Sequence, residues 1–510
     1  MNTTQSPPQT GQPVYEINDK DRERIEKIQK AWQAYETELA KPFVPLPGEP
    51  DPNVMGNEVL PAVDTVVSFV FGDEVEISVD QGAPEGAQDF LNTVWGRKEA
   101  RIPLLQRWLM NGDMSGRAFL RIVPGPDAAN LQDRVFELVE VDPCTIFVKT
   151  APQNCQKVML FCIEYCCDEK NTLGKPVKMY YREEISRIDP DQNTSQGLPD
   201  KDTTWSIQHW TQDLVSGNML PTNDNWIPAG EPIPWPYPFP PIFSNQNLPR
   251  PNEFWGYPGV NKALIGINEA INLVNSNINI TEKIQRILYS NGVGDGTIDV
   301  HPNKITQLPE IESKIAAVNL QTNTANSREF AGDLRGEAEE LTGVPMIASG
   351  RTAYMPSGNL SGIAIKLLFM SLLKKRSKMC CLYGNTIIEV SQALLVLAGF
   401  SEKIEITLGW QNPLPADVLA DVQAAQLKQS IGVSKQTTLR ELGYDPEEEA
   451  KLCAEEAAEA LADNPLMQQG MVPGQNPLQG DDQQDQNAQQ QNMQQDANKQ
   501  SGQNPIVQKG

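Results

Sequence analysis

The chain has 510 residues, 39% of them hydrophobic, and a formal net charge of −24. That is length for two to four ordinary domains, with enough apolar material for real cores if part of the chain is a polar tail. So acidic a surface repels phosphate, which excludes a sequence-reading DNA-binding protein, because such proteins cluster Lys and Arg against the phosphate field.

The N-terminal residues 1–14 are polar, rich in Pro, Gln and Thr, and lack the basic end and apolar stretch of a secretory signal. No uncharged apolar run reaches the ~18 residues that span a bilayer; the best, residues 387–400, carries Glu389, Ser391 and Gln392. A soluble protein with no membrane partner is expected. The eight cysteines show no paired CxxC spacing and only His209 and His301 could join them, so reduced thiols are expected, with no metal and no cofactor. Cys162, Cys166 and Cys167 read as strand residues, and Cys380 and Cys381 as small apolar residues of a helix.

In chain order, residues 1–17 are expected to be disordered. Residues 18–39 show helical spacing through Ile25, Ile28, Trp32, Tyr35 and Leu39. A Pro-rich connector, 41–52, leads to a second helix, 57–71, ended by Gly72, and to a strand carrying Val75, Ile77 and Val79. Helical periodicity returns over 89–111. Alternating apolar residues then predict strands at 117–123, 136–141, 145–148, 158–165, 177–182 and 206–208, an antiparallel β-rich region. The aromatic and proline tract 232–241 cannot be helix or central strand, because proline lacks the backbone donor, and reads as an extended strap.

Val260, Leu264, Ile267, Ile271, Val274 and Ile278 recur at steps of four and three, predicting a long helix over 259–290 with a narrow apolar seam. Asn261, Asn268, Asn272, Asn275 and Asn279 occupy its other faces, which suggests close polar packing between many helices rather than a plain solvated surface. The glycines of 291–296 break this helix. A small module follows, with a strand at 297–300 and a short helix at 309–318, and then a second amphipathic helix at 323–341. Residues 343–358 read as a Gly/Ser loop, 360–398 as one very long helix, and 403–410 as a strand. The run Lys374, Lys375, Arg376 and Lys378 on the long helix reads as a solvated face. Beyond Pro413 and Pro415 come helical stretches at 416–429 and 439–442. A last helix to Leu461 begins with Asp445 as cap, Pro446 in the first turn and the acids Glu447–Glu449. From residue 463 the chain is Gln, Asn, Asp and Gly with few aliphatics, too polar to bury a core, and disorder is expected.

Enzyme signatures are missing. Gly292, Gly294 and Gly296 lack the lysine of a P-loop, and no GxSxG elbow or recognisable histidine motif supports nucleophilic catalysis. Acidic pairs such as Glu183 and Glu184, or Asp481 and Asp482, and the aromatic tract around Trp235 and Tyr237 would be the handles for a carbohydrate-active enzyme, but every acidic chain has such pairs and the tract reads as a packing strap.

The order of elements resembles the portal proteins of tailed double-stranded DNA bacteriophages. NEVLPAVDTVVSFVFG (57–72) looks like the early portal helix, and PNEFWGYPGVNKALIGINEAIN (251–272) like the entry to the portal stem. TGVPMIASGRTAYMPSGNLSGIAIKLLF (342–369) is similar to the tunnel loop and the start of the long wing helix, and the helical stretch 416–461 to the crown. The resemblance implies an α+β portal fold. Its parts would be a wing (18–258, joined by 359–412), stem helices at 259–290 and 323–343, and a clip at 291–322. A tunnel loop at 344–358, a crown at 413–462 and a disordered tail from 463 to 510 would complete it.

It further implies a non-enzymatic ring, usually of twelve subunits, at a unique capsid vertex. Double-stranded DNA would pass through without being read, and the packaging ATPase (terminase) and then a head-completion or tail adaptor would dock. Major capsid and scaffolding proteins would surround the ring, in the virion and, during assembly, in the host cytoplasm. Under this reading Ser349, Gly350, Arg351, Thr352 and Tyr354 of the loop, with Lys283 and Arg286 of the stem, are candidate channel residues. The cations could equally sit in ordinary ion pairs. Asp295, Ile298, His301 and Lys304 are candidate adaptor contacts on the clip. A different head-tail adaptor or scaffold protein is the rival reading, and an enzyme the more distant one.

Overall fold

The computed structural model describes residues 13–45, 47, 50–80, 82–125, 135–170, 176–188, 203–213, 226–283, 286–291, 314–319, 324–351, 362–401, 404–414, 418–442, 446 and 449–454. The chain divides into two units, Met1–Pro415 and Ala416–Gly510. Helices and antiparallel sheets mix in the first, an α+β arrangement.

The first helix, α1 (Asp19–Tyr35), starts at a capping box in which Asn18 and Asp21 each satisfy the other's backbone N–H. The second, α2 (Val59–Phe71), is joined to it by one side chain. Asn57 Nδ2 donates to the Ala34 and Tyr35 carbonyls at the end of α1, and its Oδ1 accepts the Val59 and Leu60 amides that open α2. A single asparagine thus closes the open ends of two helices.

Strand β1 (Val75–Val79) follows. The helical stretch predicted over 89–111 is two helices, α3 (Ala87–Trp95) and α4 (Lys98–Ser115), because Gly96 adopts a left-handed conformation at φ 72° between them. Two sheets come next. In the smaller, β2 (Arg117–Pro124) pairs with β3 (Phe136–Val141) and with β10 (Ile242–Gln246), which follows the strands of the larger sheet in the chain. The larger orders β4 (Ile146–Ala151), β5 (Asn154–Lys170), β6 (Pro176–Ile188), β7 (Thr204–Asp213) and β8 (Ile227–Pro228), all antiparallel. The proline tract is an extended strap as expected: its strand β9 (Ile233–Trp235) pairs with β7, and Trp235 is buried with Nε1 donating to the Phe239 carbonyl.

The long helix of 360–398 is interrupted. Helix α7 (Gly362–Leu368) ends at Phe369, whose ring stacks on Phe69, and α8 (Met370–Leu397) continues. Met379, Tyr383, Ile387, Val390 and Leu394 of α8 are fully buried at steps of four and three. They pack into a cluster with α2, α3, α4, β1 and β2, where Trp108 meets Tyr383 edge-on at 4.7 Å and Trp95 Nε1 donates to Ser391 Oγ at 3.0 Å. Helix α8 is long and apolar enough to cross a membrane, yet here it is the central helix of the core. Strand β13 (Ile406–Trp410) returns to pair with β1, Val75 opposite Trp410, so residues 59–123 and 370–410 build one core.

Two basic residues expected on a solvated face instead cap helices. Arg376 donates to the Phe69 carbonyl in the last turn of α2 and to Gln411 O, and Lys375 Nζ donates to Thr342 O at the end of the helix that precedes the Gly/Ser loop. Cations at these carboxyl ends satisfy orphan carbonyls and oppose the helix dipole.

The second unit shows α9 (Val418–Ser430) and α10 (Lys435–Glu441), the latter capped by Ser434 Oγ accepting the Thr437 amide. Of the last predicted helix, Pro446 and residues 449–454 are helical; Asp445 and residues 455–461 lie outside the described residues, as do 1–12 and the tail.

Candidate functional site

The helix foreseen over 259–290 is α5 (Lys262–Lys283). It starts late because Asn261 Oδ1 accepts the Ala263 and Leu264 amides and acts as its N-cap. It stops early because the chain becomes a strand, β11 (Arg286–Asn291), paired antiparallel with β12 (Lys314–Asn319). Ile287, Leu288 and Tyr289 suit a ladder at least as well as a helix, and cross-strand pairing decides between them. The short helix predicted over 309–318 is accordingly corrected: residues 314–318 are strand. The strand foreseen at 297–300 lies outside the described residues. The next helix, α6 (Ala325–Thr342), returns antiparallel to α5, and Glu282 near the end of one meets Thr324 and Arg328 at the start of the other.

The asparagines of α5 serve its own chain. Asn268 Oδ1 accepts the Glu58 amide at 2.9 Å, Asn272 Oδ1 the Gly56 amide at 2.8 Å, Ser276 Oγ the Val54 amide at 2.9 Å, and Asn279 Nδ2 donates to Pro52 O at 2.8 Å. The spacing explains the ladder. Four helical residues advance ~6.0 Å and two extended residues ~6.6 Å, so every fourth helix position meets every second amide of residues 52–58, which lie as a second strap along α5. Asn268, Asn272 and Ser276 are buried there, so these side chains meet the backbone of residues 54–58 rather than the many closely packed helices that the set of asparagines suggested.

After α6 the chain turns at Gly343, left-handed at φ 68°, and winds through successive turns in which the Ser349 and Arg351 amides both donate to Met346 O. Val344 and Met346 are buried, so residues 344–351 form a packed base rather than a free loop. This base is held by Glu58, whose carboxylate is 11% exposed and accepts Arg335 Nε from α6 at 3.0 Å and Arg351 Nη2 at 2.7 Å. Two guanidiniums share one carboxylate at the start of α2, joining α2, α5, α6 and the turn segment. Arg351→Ala should cost under ~1 kcal/mol, since Arg335 still pairs with Glu58. Glu58→Ala, which strips both guanidiniums of their partner, should cost ~1–3 kcal/mol in denaturant unfolding. Equal effects of the two would refute the shared arrangement.

The other candidate residues are placed as follows. Ser349 Oγ donates to Met346 O at 2.8 Å, and Gly350 is exposed at φ 84° with open space where a Cβ would stand. Lys283 is the exposed last residue of α5, and Arg286 opens β11 opposite Asn319, on a strand rather than on the stem helix. Thr352, Tyr354, Asp295, Ile298, His301 and Lys304 lie outside the described residues. Nothing in the sequence marked Glu58 or Arg335; an acid at the head of a helix is ordinarily explained by the helix dipole.

The acidic pair offers no hydrolytic site. Glu183 accepts both arms of Arg121 at 2.7 and 2.8 Å, while Glu184, on the opposite face of β6, accepts the Val14 and Tyr15 amides. Among the described residues no group of three His, Cys, Asp or Glu side chains is placed to hold a metal. A cleft of about 900 Å³ lies instead beside α1, where Arg24 stacks 4.1 Å over Trp255 and donates to the Pro143 and Ile146 carbonyls. Both terminal nitrogens of Arg24 are engaged there, while its buried Nε has no hydrogen-bond partner among the described residues.

No curated protein matches the chain. Residues 13–462 match the family model described as phage portal protein, SPP1 Gp6-like, which covers all of the elements above. With that match, the chain belongs to the phage portal family, a structural family, and is a portal subunit of the bacteriophage capsid vertex through which viral DNA is packaged.

Proposed function

We propose that α5 and α6 are the stem of the portal subunit, that β11, β12 and the residues between them are the clip, and that residues 344–358 are the tunnel loop. The observation that carries this reading is the antiparallel pair α5/α6 bracketing an inserted β-hairpin and leading directly into the wound segment 344–351. Residues 18–258 with 359–412 are then the wing and 413–462 the crown. Twelve such subunits close a ring around a channel for double-stranded DNA.

The chain does no chemistry of its own and takes no cofactor. The terminase supplies ATP hydrolysis from outside, and a head-completion or tail adaptor replaces it at the clip, with Asp295, Ile298, His301 and Lys304 as contacts. Capsid and scaffolding proteins hold the wing, and assembly takes place in the host cytoplasm. The charge of −24 favours this role, since a channel wall that bound phosphate tightly would break contacts at every advance of the DNA. Ser349, Gly350, Arg351, Thr352 and Tyr354, with Lys283 and Arg286, are the residues nearest the passing duplex.

Deleting four residues within 348–357 tests the loop. Packaged or retained DNA should fall at least tenfold while electron microscopy shows rings with an axial channel. Loss of the rings themselves would make the segment structural, and unchanged DNA content would refute the tunnel-loop role.

A further inference from the structure

Two exposed helix faces of opposite charge stand on the first unit. On α6, Glu329, Asp333, Glu337 and Glu340 recur at steps of four, four and three and so share one exposed face, opposite the one buried through Ala331, Leu334 and Ala338. Phe330 and Leu341 lie on the same arc, 52% and 42% exposed. On α7 and α8, Lys366, Lys374 and Lys378 recur at multiples of four, all exposed, beside Leu367 and Met370 at 60% and 41% exposure. The basic run is therefore divided: Lys375 and Arg376 turn inward to cap helices, while Lys374 and Lys378 face out. None of these four acids or three lysines forms an ion pair with a described residue.

Like charges four apart on a helix repel one another, so each face carries a small cost that an opposite charge would remove. A ring closes through heterologous contacts, in which one surface of a subunit meets a different surface of the next. Apolar anchors flanked by complementary charge are what such contacts require, the charges setting register and excluding wrong pairings more than adding affinity. We propose that the acidic face of α6 in one subunit docks on the basic α7–α8 face of the neighbouring copy of this chain. The inference rests on the ring reading and names the faces that close it.

The test uses two full-length variants. One carries Glu329→Lys, Asp333→Lys, Glu337→Lys and Glu340→Lys; the other carries Lys366→Glu, Lys374→Glu and Lys378→Glu. Circular dichroism should show wild-type helix content for both, and native mass spectrometry should show the fraction in rings reduced at least tenfold for each alone. An equimolar mixture should restore even-numbered rings, because alternating subunits make every contact complementary again. Either variant assembling alone as well as wild type, or a mixture of folded variants that fails to assemble, would overturn the proposal. Normal rings of the first variant with slowed DNA passage would place the acidic face on the channel wall instead. A wild-type chain that forms no rings would sink the ring reading beneath it.

Discussion

Replacing Asn268, Asn272 and Ser276 together by alanine should release the 52–58 strap from α5. The substitutions leave helix α5 intrinsically no weaker, because alanine is the best helix former, so any loss of stability comes from the Val54, Gly56 and Glu58 amides left without acceptors. An unsatisfied buried donor costs about 1–3 kcal/mol; these three are partly buried, which puts the total at roughly 2–4 kcal/mol. Amide hydrogen exchange should report it directly, with the three amides exchanging on the order of a hundredfold faster, since each 1.4 kcal/mol is about a factor of ten. Asn275 and Asn277, for which the ladder has no use, should tolerate alanine within ~0.5 kcal/mol. Unchanged exchange at the three strap amides would refute the ladder. The same strap carries Glu58 to Arg335 and Arg351, so the triple variant should also loosen the base of the 344–351 segment.

Arg182→Ala is expected to be the most damaging single change in the large sheet. The side chain is 1% exposed, donates to Glu164 Oε2 at 3.0 Å and to the Tyr15 carbonyl at 3.0 Å, lies 4.0 Å from Glu184 and covers the Trp226 ring at 4.5 Å. Its removal leaves two buried carboxylates without a counter-charge, and breaking a buried ion pair from one side costs about 3–5 kcal/mol. Thermal unfolding should fall by roughly 5–15 °C. Residues 13–17, which Glu184 holds through the Val14 and Tyr15 amides, should become accessible to protease. Combining Arg182→Met with Glu164→Gln should recover part of the loss, because Glu164 is then no longer a stranded charge, while Glu184 keeps only the Val14 and Tyr15 amides as partners. A stability for Arg182→Ala within 1 kcal/mol of wild type would show that the carboxylates find other partners.

How far the sequence could be read depended on the kind of signal. The strands at 117–123, 136–141 and 158–165 appear close to where the short apolar runs placed them: 136–141 buries mainly one face, while residues 117–120 and 160–163 are buried on both faces, so there the run of apolar residues between turns carried the signal rather than strict alternation. The strap at 232–241 followed from proline chemistry alone. The break between α3 and α4 and the interruption at Phe369 were missed, since a single left-handed glycine or one turn residue hardly disturbs a helical hydrophobic pattern. Arg286 was misplaced for a related reason: the apolar spacing that suggests a helix continues into β11, and only β12 reveals the ladder.

By itself the sequence determined that this is an acidic α+β chain without a P-loop or a catalytic histidine motif, with a long asparagine-bearing helix, a returning helix and an intervening insertion. These are properties of composition and local periodicity, which each segment carries alone. Only the tertiary structure decided what the asparagines bind, that α8 is a core helix, that β1 pairs with β13 across 330 residues of chain, and that Glu58 gathers Arg335 and Arg351. Each of those depends on a partner far away in sequence. An amide, a carboxylate or an apolar face has no local preference for one distant partner over another, so the choice becomes visible only when packing brings them within hydrogen-bonding reach.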